Sequence, residues 1–298
     1  MSIMNKYTSC SLCGRSCGVN RLIGECGYCH SSDKIELARA ALHHWEEPVI
    51  SGERGSGTIF FTGCSLGCIY CQNRAISRKS VGKEVSLTRL SEIMIELENQ
   101  GAHNINLVTP THYAPSIIKS VEMARKNNLS VPIVYNTSSY DSAQTIDLLK
   151  ETVDIYLADF KYWMSGTSLK YSMAADYPTV AKSAIEKMVL QKGSAVIENG
   201  LMKSGVIVRI LLLPGHLAEA KLITSYLASE YGNDIYVSLM SQYTPLGDLP
   251  LPLNRRVTAS EYDLLCDYAV KKGLKNVFIQ EGTSASESFI PEFDFSGI

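Results

Sequence analysis

From Gly57 onward, short apolar runs rich in β-branched and aromatic residues alternate with longer runs of helical period, and that alternation admits few folds. The pattern predicts strands over 57–62, 104–108, 131–135, 153–159, 206–213 and 235–240, with a seventh over 276–280. Helices are predicted near 87–99, 115–127, 141–150, 177–191, 217–231 and 259–272. Their boundaries carry readable signals: Ser86 or Thr88 to cap the first, Pro115 to open the second, Asp141 to cap the third. Gly101, Gly193 and Gly273 stand where left-handed helix ends are expected. Strands alternating with helices imply a parallel sheet with right-handed crossovers. A closed eight-stranded barrel takes about 250 residues. Residues 57–282 carry six or seven units, so the expected architecture is an α/β open, partial (β/α)6 barrel. Ligands then belong at the C-terminal ends of its strands.

Upstream of the barrel the chain divides into a cysteine-rich metal-binding head, 1–35, and a connector, 36–56; the barrel domain is 57–298. The connector reads as a short helical stretch from Ile35 to His44, then WEEPVISGERGSG, whose Pro48 and glycines predict irregular structure. Of 298 residues, 45% are hydrophobic and 19% charged, enough for one large domain with an appendage. The net charge of −2 lacks the broad basic surface of nucleic-acid binders, so no nucleic-acid partner is expected. MSIMNKYTSC has no apolar signal region and no stretch approaches the ~18 apolar residues of a span, so a cytoplasmic chain with no membrane partner is expected. Eight of the nine cysteines fall within the first 71 residues, in close groups that fit metal or cluster binding better than disulfides.

Three of them form Cys64-x3-Cys68-x2-Cys71, on a glycine-containing loop directly after the strand GTIFFT, with Tyr70 before the last thiol. Three sulfurs from one loop can wrap a corner of a compact cluster but cannot close a four-thiolate shell. A [4Fe–4S] cubane held this way keeps one iron open to a non-protein ligand. The competing readings are a zinc site or three core cysteines, and no matching downstream pair exists to close a zinc shell. Cys266, in EYDLLCDYAVKK, fits an apolar helix face and reads as a packed thiol. A cluster with an exposed iron argues for an anaerobic or strongly reducing cell.

The strand ends supply the polar candidates: Thr109, Thr111, His112 and Tyr113; Asn136, Thr137 and Ser138; Asp159 and Lys161; Arg209 and His216; Gln242 and Tyr243. Asp159 and Lys161 alternate onto one strand face, where they either point into a pocket or pair with each other. Asn136 and Thr137 form a possible hydrogen-bonding ledge. Arg209 faces either a bound carboxylate or a neighbouring acid, and His112 is either functional or an ordinary loop histidine.

The head reads Cys10-x2-Cys13-x3-Cys17 followed by Cys26-x2-Cys29. Two CxxC pairs 12 residues apart have zinc-ribbon spacing, which leaves Cys17 spare. Cys10, Cys13, Cys17 and Cys29 make an alternative set with Cys26 spare. Zinc or a further [4Fe–4S] cluster suits either. A head this short has little core of its own and needs such a staple.

The cysteine triple resembles the signature of the radical S-adenosylmethionine (SAM) superfamily. The resemblance implies that the open iron chelates SAM, which is cleaved reductively to methionine and a 5′-deoxyadenosyl radical that abstracts hydrogen from a substrate. HHWEEPVISGERGSGTIFFTGCSLGCIYCQN, CSLCGRSCGVNR, LVTPTHY and FIQEGTSASESFIPEFD together resemble the pyruvate-formate-lyase-activating-enzyme-like branch. Its Cys-x-Leu-Cys head favours the set Cys10, Cys13, Cys17 and Cys29. Asp159 and Lys161 resemble an Asp-x-Lys pattern that contributes to SAM binding in glycyl-radical-enzyme activating enzymes. Tyr70, Thr109, Thr111, Asn136, Thr137 and Arg209 complete the expected SAM-binding set. One departure stands out: Thr109-Pro110-Thr111-His112 occupies the place of a Gly-Gly-Glu-like motif, so hydroxyls or backbone oxygens must bind the SAM amino group. The implied partners are a low-potential electron donor such as flavodoxin or ferredoxin, and a protein substrate. Activation of a glycyl-radical enzyme is the first expectation, followed by modification of another protein, peptide or small molecule. A non-catalytic zinc and iron–sulfur protein for electron transfer or binding would leave the strand-end residues without a task.

Overall fold

The computed structural model describes residues 2–78, 81–280 and 291–298. The head has little regular structure beyond 3-10 turns at Ile3–Tyr7 and Arg21–Ile23. It leads into β1 (Ile35–His43), where a helical stretch was expected. The alanines and leucines of IELARAALH favour a helix locally, but the free edge of the next strand overrides that preference. β1 runs antiparallel to β2 (Ser56–Phe61), from Leu37 opposite Phe61 to His43 opposite Ser56. Between them, one helical turn, α1 (Pro48–Ser51), replaces the expected irregular connector. Pro48 sits at its start, where a missing N–H costs nothing, and Gly52 ends it.

After the cysteine loop come a single turn, α2 (Arg74–Ser77), and a short strand, β3 (Lys83–Val85), that pairs antiparallel with β1. The βα alternation then follows the sequence closely. α3 (Leu87–Asn99) is capped by the Ser86 hydroxyl, which accepts from the Arg89 N–H. β4 (Ile105–Val108) leads to α4 (Ala114–Lys126), with Pro115 in its first turn. β5 (Ile133–Thr137) leads to α5 (Ala143–Leu148), whose cap is Ser142 rather than Asp141. Asp141 is instead buried, accepting from the Tyr135 hydroxyl at 2.9 Å. β6 (Ile155–Asp159) is followed by α6 (Ser165–Ser172), which periodicity did not reveal, and α7 (Tyr177–Lys192). A hairpin of β7 (Val196–Glu198) and β8 (Leu201–Leu211) lengthens the next strand beyond expectation. α8 (Leu217–Glu230), β9 (Tyr236–Met240), α9 (Ala259–Lys271) and β10 (Val277–Ile279) complete the series.

The sheet order is β10-β9-β8-β6-β5-β4-β2-β1-β3, with β7 on β8. Seven strands from β2 to β10 are parallel and follow chain order, and β10 does not pair back onto β2 among the described residues. This is the open, partial barrel expected from the alternation.

Strand periodicity separates two layers of side chains. Ile133 and Tyr135, Tyr156 and Ala158, and Val206 and Val208 pack among the helices in the main core. Their alternates Val134, Ile155, Leu157 and Ile207 form a second, inner cluster with Ile50 of α1. The turn after β1 therefore plugs the N-terminal mouth of the barrel. The tail returns to β1: Phe295 N–H donates to Ala38 O at 3.1 Å, and Ala40 N–H to Ser296 O at 2.9 Å. Residues 281–290 of the tail motif lie outside the described residues.

Candidate active site

A cavity of about 250 Å³ opens at the C-terminal ends of the parallel strands. Cys64, Cys68 and Cys71 line one side of it. Asp159, Lys161, Arg209, Asn136, Thr137 and Thr109 line the other.

The cysteine loop owes its course to Gly63, at φ +85, which turns the chain out of β2. A Cβ there would stand 2.6 Å from the Cys29 carbonyl oxygen, so the head packs directly on this glycine. Gly63→Ala is expected to destabilise the fold by about 2–5 kcal/mol, through a left-handed backbone and overpacking together. Thermal or urea unfolding checks it.

Inside the loop the N–H groups of Leu66 and Gly67 approach Cys64 Sγ at 3.4 and 3.5 Å, which suits a sulfur carrying negative charge. Burial pushes the Cys64 thiol up to about 12, and the neighbouring Cys71 and Cys68 add to the rise. Burial and Cys68 raise Cys71 in the same way. Cys64 and Cys71, both raised by burial and by their thiol neighbours, make poor free thiolates. They fit a cationic inorganic core that displaces their protons. Among the described residues no three His, Cys, Asp or Glu side chains converge closely enough to grip a single ion. Three thiols on one loop beside a cavity fit a cluster corner, which spreads its sulfurs over several metal atoms.

Opposite the thiols lies a charged network. Lys161 Nζ donates to Asp159 Oδ2 at 2.7 Å and Arg209 Nε to Asp159 Oδ1 at 2.6 Å. Arg209 also donates to Glu46 Oε2 at 3.0 Å and to Asn136 Oδ1 at 2.7 Å. Burial opposes the charge on Asp159, but Arg209 and Lys161 outweigh it and hold the carboxyl below its usual range. Lys161 is likewise kept protonated against burial by Asp159 and by Cys68. Asp159 and Lys161 therefore both pair and face the cavity, and the two sequence readings of them coexist. Arg209 meets neighbouring acids.

The structure divides the remaining candidates. Thr109 ends β4 at φ +59, a strained setting for a β-branched residue, and its N–H donates to Asn136 O at 2.9 Å. Tyr70, Ser138, Gln242 and Tyr243 also line the cavity. Tyr70 stands edge-on to Tyr162, Tyr171 and Tyr243 at centroid distances of 6.0–6.4 Å, so its ring backs the cysteine loop. Thr111 and His112 are buried outside the lining; Thr111 faces Thr137 Oγ1 at 3.5 Å, and His112 Nε2 meets Thr62 O at 2.7 Å. His112 thus reads as a structural residue bracing the end of β2. Tyr113 is fully buried against Phe61. His216 bonds Tyr171 and Glu219 in a small separate recess. Cys266 packs against the main core.

Sequence reasoning missed the acids of the connector. Glu46 accepts from Arg209 and from the side-chain amides of Asn106 (3.1 Å) and Asn136 (3.3 Å), forming the cavity floor. Glu47, one residue on, is buried between Arg209 and Ser238, with Oε2 lacking a hydrogen-bond partner. No strand or helix signal marks them; the only clue was two adjacent acids directly before a proline. His43 and the exposed Trp45 also line the cavity from the same segment.

Burial, opposed by Arg209 and reinforced by Glu46, raises the Glu47 carboxyl to about 7. A raised carboxyl stabilises the fold below its unfolded value, near 4, and loses that contribution as pH rises through about 7. Glu47→Gln should therefore flatten the fall in stability between pH 5 and 8 by on the order of 1–3 kcal/mol. Urea unfolding of both proteins across that range checks it; parallel curves would contradict it.

Residues 58–163 match the family model of the Radical SAM superfamily. That stretch is a radical SAM domain, and such a domain implies a [4Fe–4S] cluster and SAM. Over 287 residues, 92% of this chain and 78% of the relative, the sequence is 29% identical to the uncharacterized protein MJ0674 of Methanocaldococcus jannaschii. SuiB of Streptococcus suis superposes with a TM-score of 0.48 at 12% identity, over 76% of this chain and 48% of SuiB. SuiB bound to precursor peptide SuiA superposes with 0.49 at 11% identity, over 74% and 47%. This chain thus spans about half the length of SuiB. No helix among the described residues is long and apolar enough to cross a membrane.

Proposed function

We propose that this chain is a SAM-cleaving radical enzyme whose substrate is a segment of another protein, a glycyl-radical enzyme in the first instance. The observation that carries the reading is the meeting of Cys64, Cys68 and Cys71 with the Asp159–Lys161–Arg209 network across one cavity. When bound, the cluster and SAM supply one-electron cleavage of the sulfonium to a 5′-deoxyadenosyl radical that removes a hydrogen atom from substrate.

The protein's own residues do the rest. The three thiols hold the cluster corner and release their protons on loading. Lys161 offers an ammonium to a carboxylate, and Asp159 offers acceptor oxygens to an amine or hydroxyl. Both are held in place by Arg209, itself fixed by Glu46 and Asn136. Asn136, Thr137 and Thr109 present amide, hydroxyl and strained backbone along the same ledge. Tyr70 and the tyrosines around it screen the cluster loop from water, which a reactive radical requires. The open edge of the parallel sheet, where β10 does not pair back onto β2 among the described residues, leaves room for a chain segment of a protein substrate.

Anaerobic reconstitution with iron and sulfide, reduction with dithionite and addition of SAM should yield 5′-deoxyadenosine. Candidate glycyl-radical enzymes added to that mixture should develop a protein-based radical visible by paramagnetic resonance. Nucleoside without any such radical would remove the activase assignment and leave SAM cleavage standing. Absence of nucleoside from a fully loaded protein would remove both.

A further inference from the structure

Spacing alone leaves two ligand sets open for the five head cysteines; their positions in the fold separate the two. Cys10 and Val19 pair through backbone hydrogen bonds, Cys10 N–H to Val19 O at 3.0 Å and Gly18 N–H to Cys10 O at 2.9 Å. A turn closed by Ser16 N–H to Cys13 O, 3.0 Å, folds Cys17 back until its thiol stands 3.9 Å from Cys10 O. The second turn, 26–29, packs onto this hairpin: a Cβ on Gly27 would lie 2.5 Å from Cys17 Sγ. Cys10, Cys13 and Cys29 are buried. Cys26 is exposed and enters none of these contacts; its thiol points back to Gly24 O of its own turn at 3.6 Å.

This thiol knot touches the candidate active site directly. Arg15, between Cys13 and Cys17, donates through Nε to Ser65 O at 2.9 Å and through Nη2 to Ser172 O at 2.8 Å and Leu66 O at 3.3 Å. It also reaches Met173 O, and its guanidinium stacks 3.7 Å from the Tyr28 ring. On the other side Cys29 O and Ser31 press on Gly63, the first residue of the cysteine loop. The head therefore grips the first part of the cysteine loop, at Gly63 and at Ser65–Leu66, and ties it to Ser172 and Met173.

We propose that Cys10, Cys13, Cys17 and Cys29, without Cys26, bind a second metal centre through four thiolates, and that this centre holds Arg15 and Cys29 against the cysteine loop. Four thiolates suit tetrahedral zinc or an iron–sulfur cluster. In the structure the thiols do not converge on a point, and ligation requires the exposed Cys17 to rotate inward. Loading displaces the thiol protons to solvent and involves no electron transfer by the protein.

The test is independent of the proposed SAM chemistry. In a full-length Cys64→Ala/Cys68→Ala/Cys71→Ala variant, any bound metal must sit outside the cysteine loop. Elemental analysis with acid-labile sulfide should find about one zinc without sulfide, or several iron with sulfide, per chain. Adding Cys17→Ser, at an exposed position the fold tolerates, should lower that content at least tenfold; adding Cys26→Ser should leave it within twofold. Metal-free triple variant, or equal loss from Cys17→Ser and Cys26→Ser, overturns the site. For the grip, Arg15→Ala in the otherwise unchanged, reconstituted protein should shift the paramagnetic spectrum of the reduced loop cluster while head metal stays constant. An unchanged spectrum overturns the coupling and leaves the site intact.

Discussion

Cys71→Ala is expected to strip the loop cluster and reduce 5′-deoxyadenosine formation to the level of free SAM under dithionite. Two remaining thiolates cannot hold a cubane corner, so the loss is all-or-none rather than graded. Removing a group that merely orients a metal ligand costs about 10–100-fold; removing the ligand itself should exceed ~100-fold. Cys64→Ala and Cys68→Ala should behave alike, because the loop places all three thiols on the same cavity wall. Cys266→Ala is the matched control: its thiol packs against the main core, outside the cavity lining, and its loss should leave nucleoside formation unchanged. Iron content, visible absorption and nucleoside yield, measured on the same anaerobic preparations, check the set. Retention of iron and activity by Cys71→Ala would remove the cluster from this loop altogether.

The parallel strands and their helices were legible because each buries one face against a neighbour of the opposite type, and burial of that kind writes a period into the sequence. Asp159 and Lys161 were legible for a related reason: charges inside an apolar strand are costly unless they are used. β1 was misread because Leu37, Ala38, Ala40 and Ala41 suit a helix as well as a strand. Its assignment depends on the edge of β2, whose partners, from Ser56 opposite His43 to Phe61 opposite Leu37, are distant in sequence and beside it in space. Asp141 looked like a cap and is a buried acceptor for Tyr135, since the adjacent Ser142 could cap equally well. Glu46 and Glu47 left no periodic trace at all. Their significance comes from partners far along the chain, Asn106, Asn136 and above all Arg209, 163 residues after Glu46.

That dependence on Arg209 carries the largest expected effect on stability. Arg209, its side chain only 13% exposed, donates to Asp159, Glu46 and Asn136, with Glu47 close by. Burial alone would discourage its charge, yet Asp159, Glu47 and Glu46 raise its pKa further above the usual arginine range. The guanidinium is thus the positive centre on which three carboxylates rely. Removing one partner of a buried pair leaves the others charged and desolvated, at a cost of about 3–5 kcal/mol. Arg209→Ala should reach that range, observed as a lower urea midpoint at pH 7. Asp159, no longer held low by Arg209, should then titrate nearer the ordinary carboxylate range. Its stabilisation, present above the unfolded pKa and lost as pH falls through the folded one, should fade at higher pH than in the wild type. Adding Glu46→Gln to Arg209→Ala should recover part of the loss, because one stranded charge is gone. A change below ~1 kcal/mol for Arg209→Ala would mean that water reaches these carboxylates freely. The network would then be no rigid support for the residues facing the thiols.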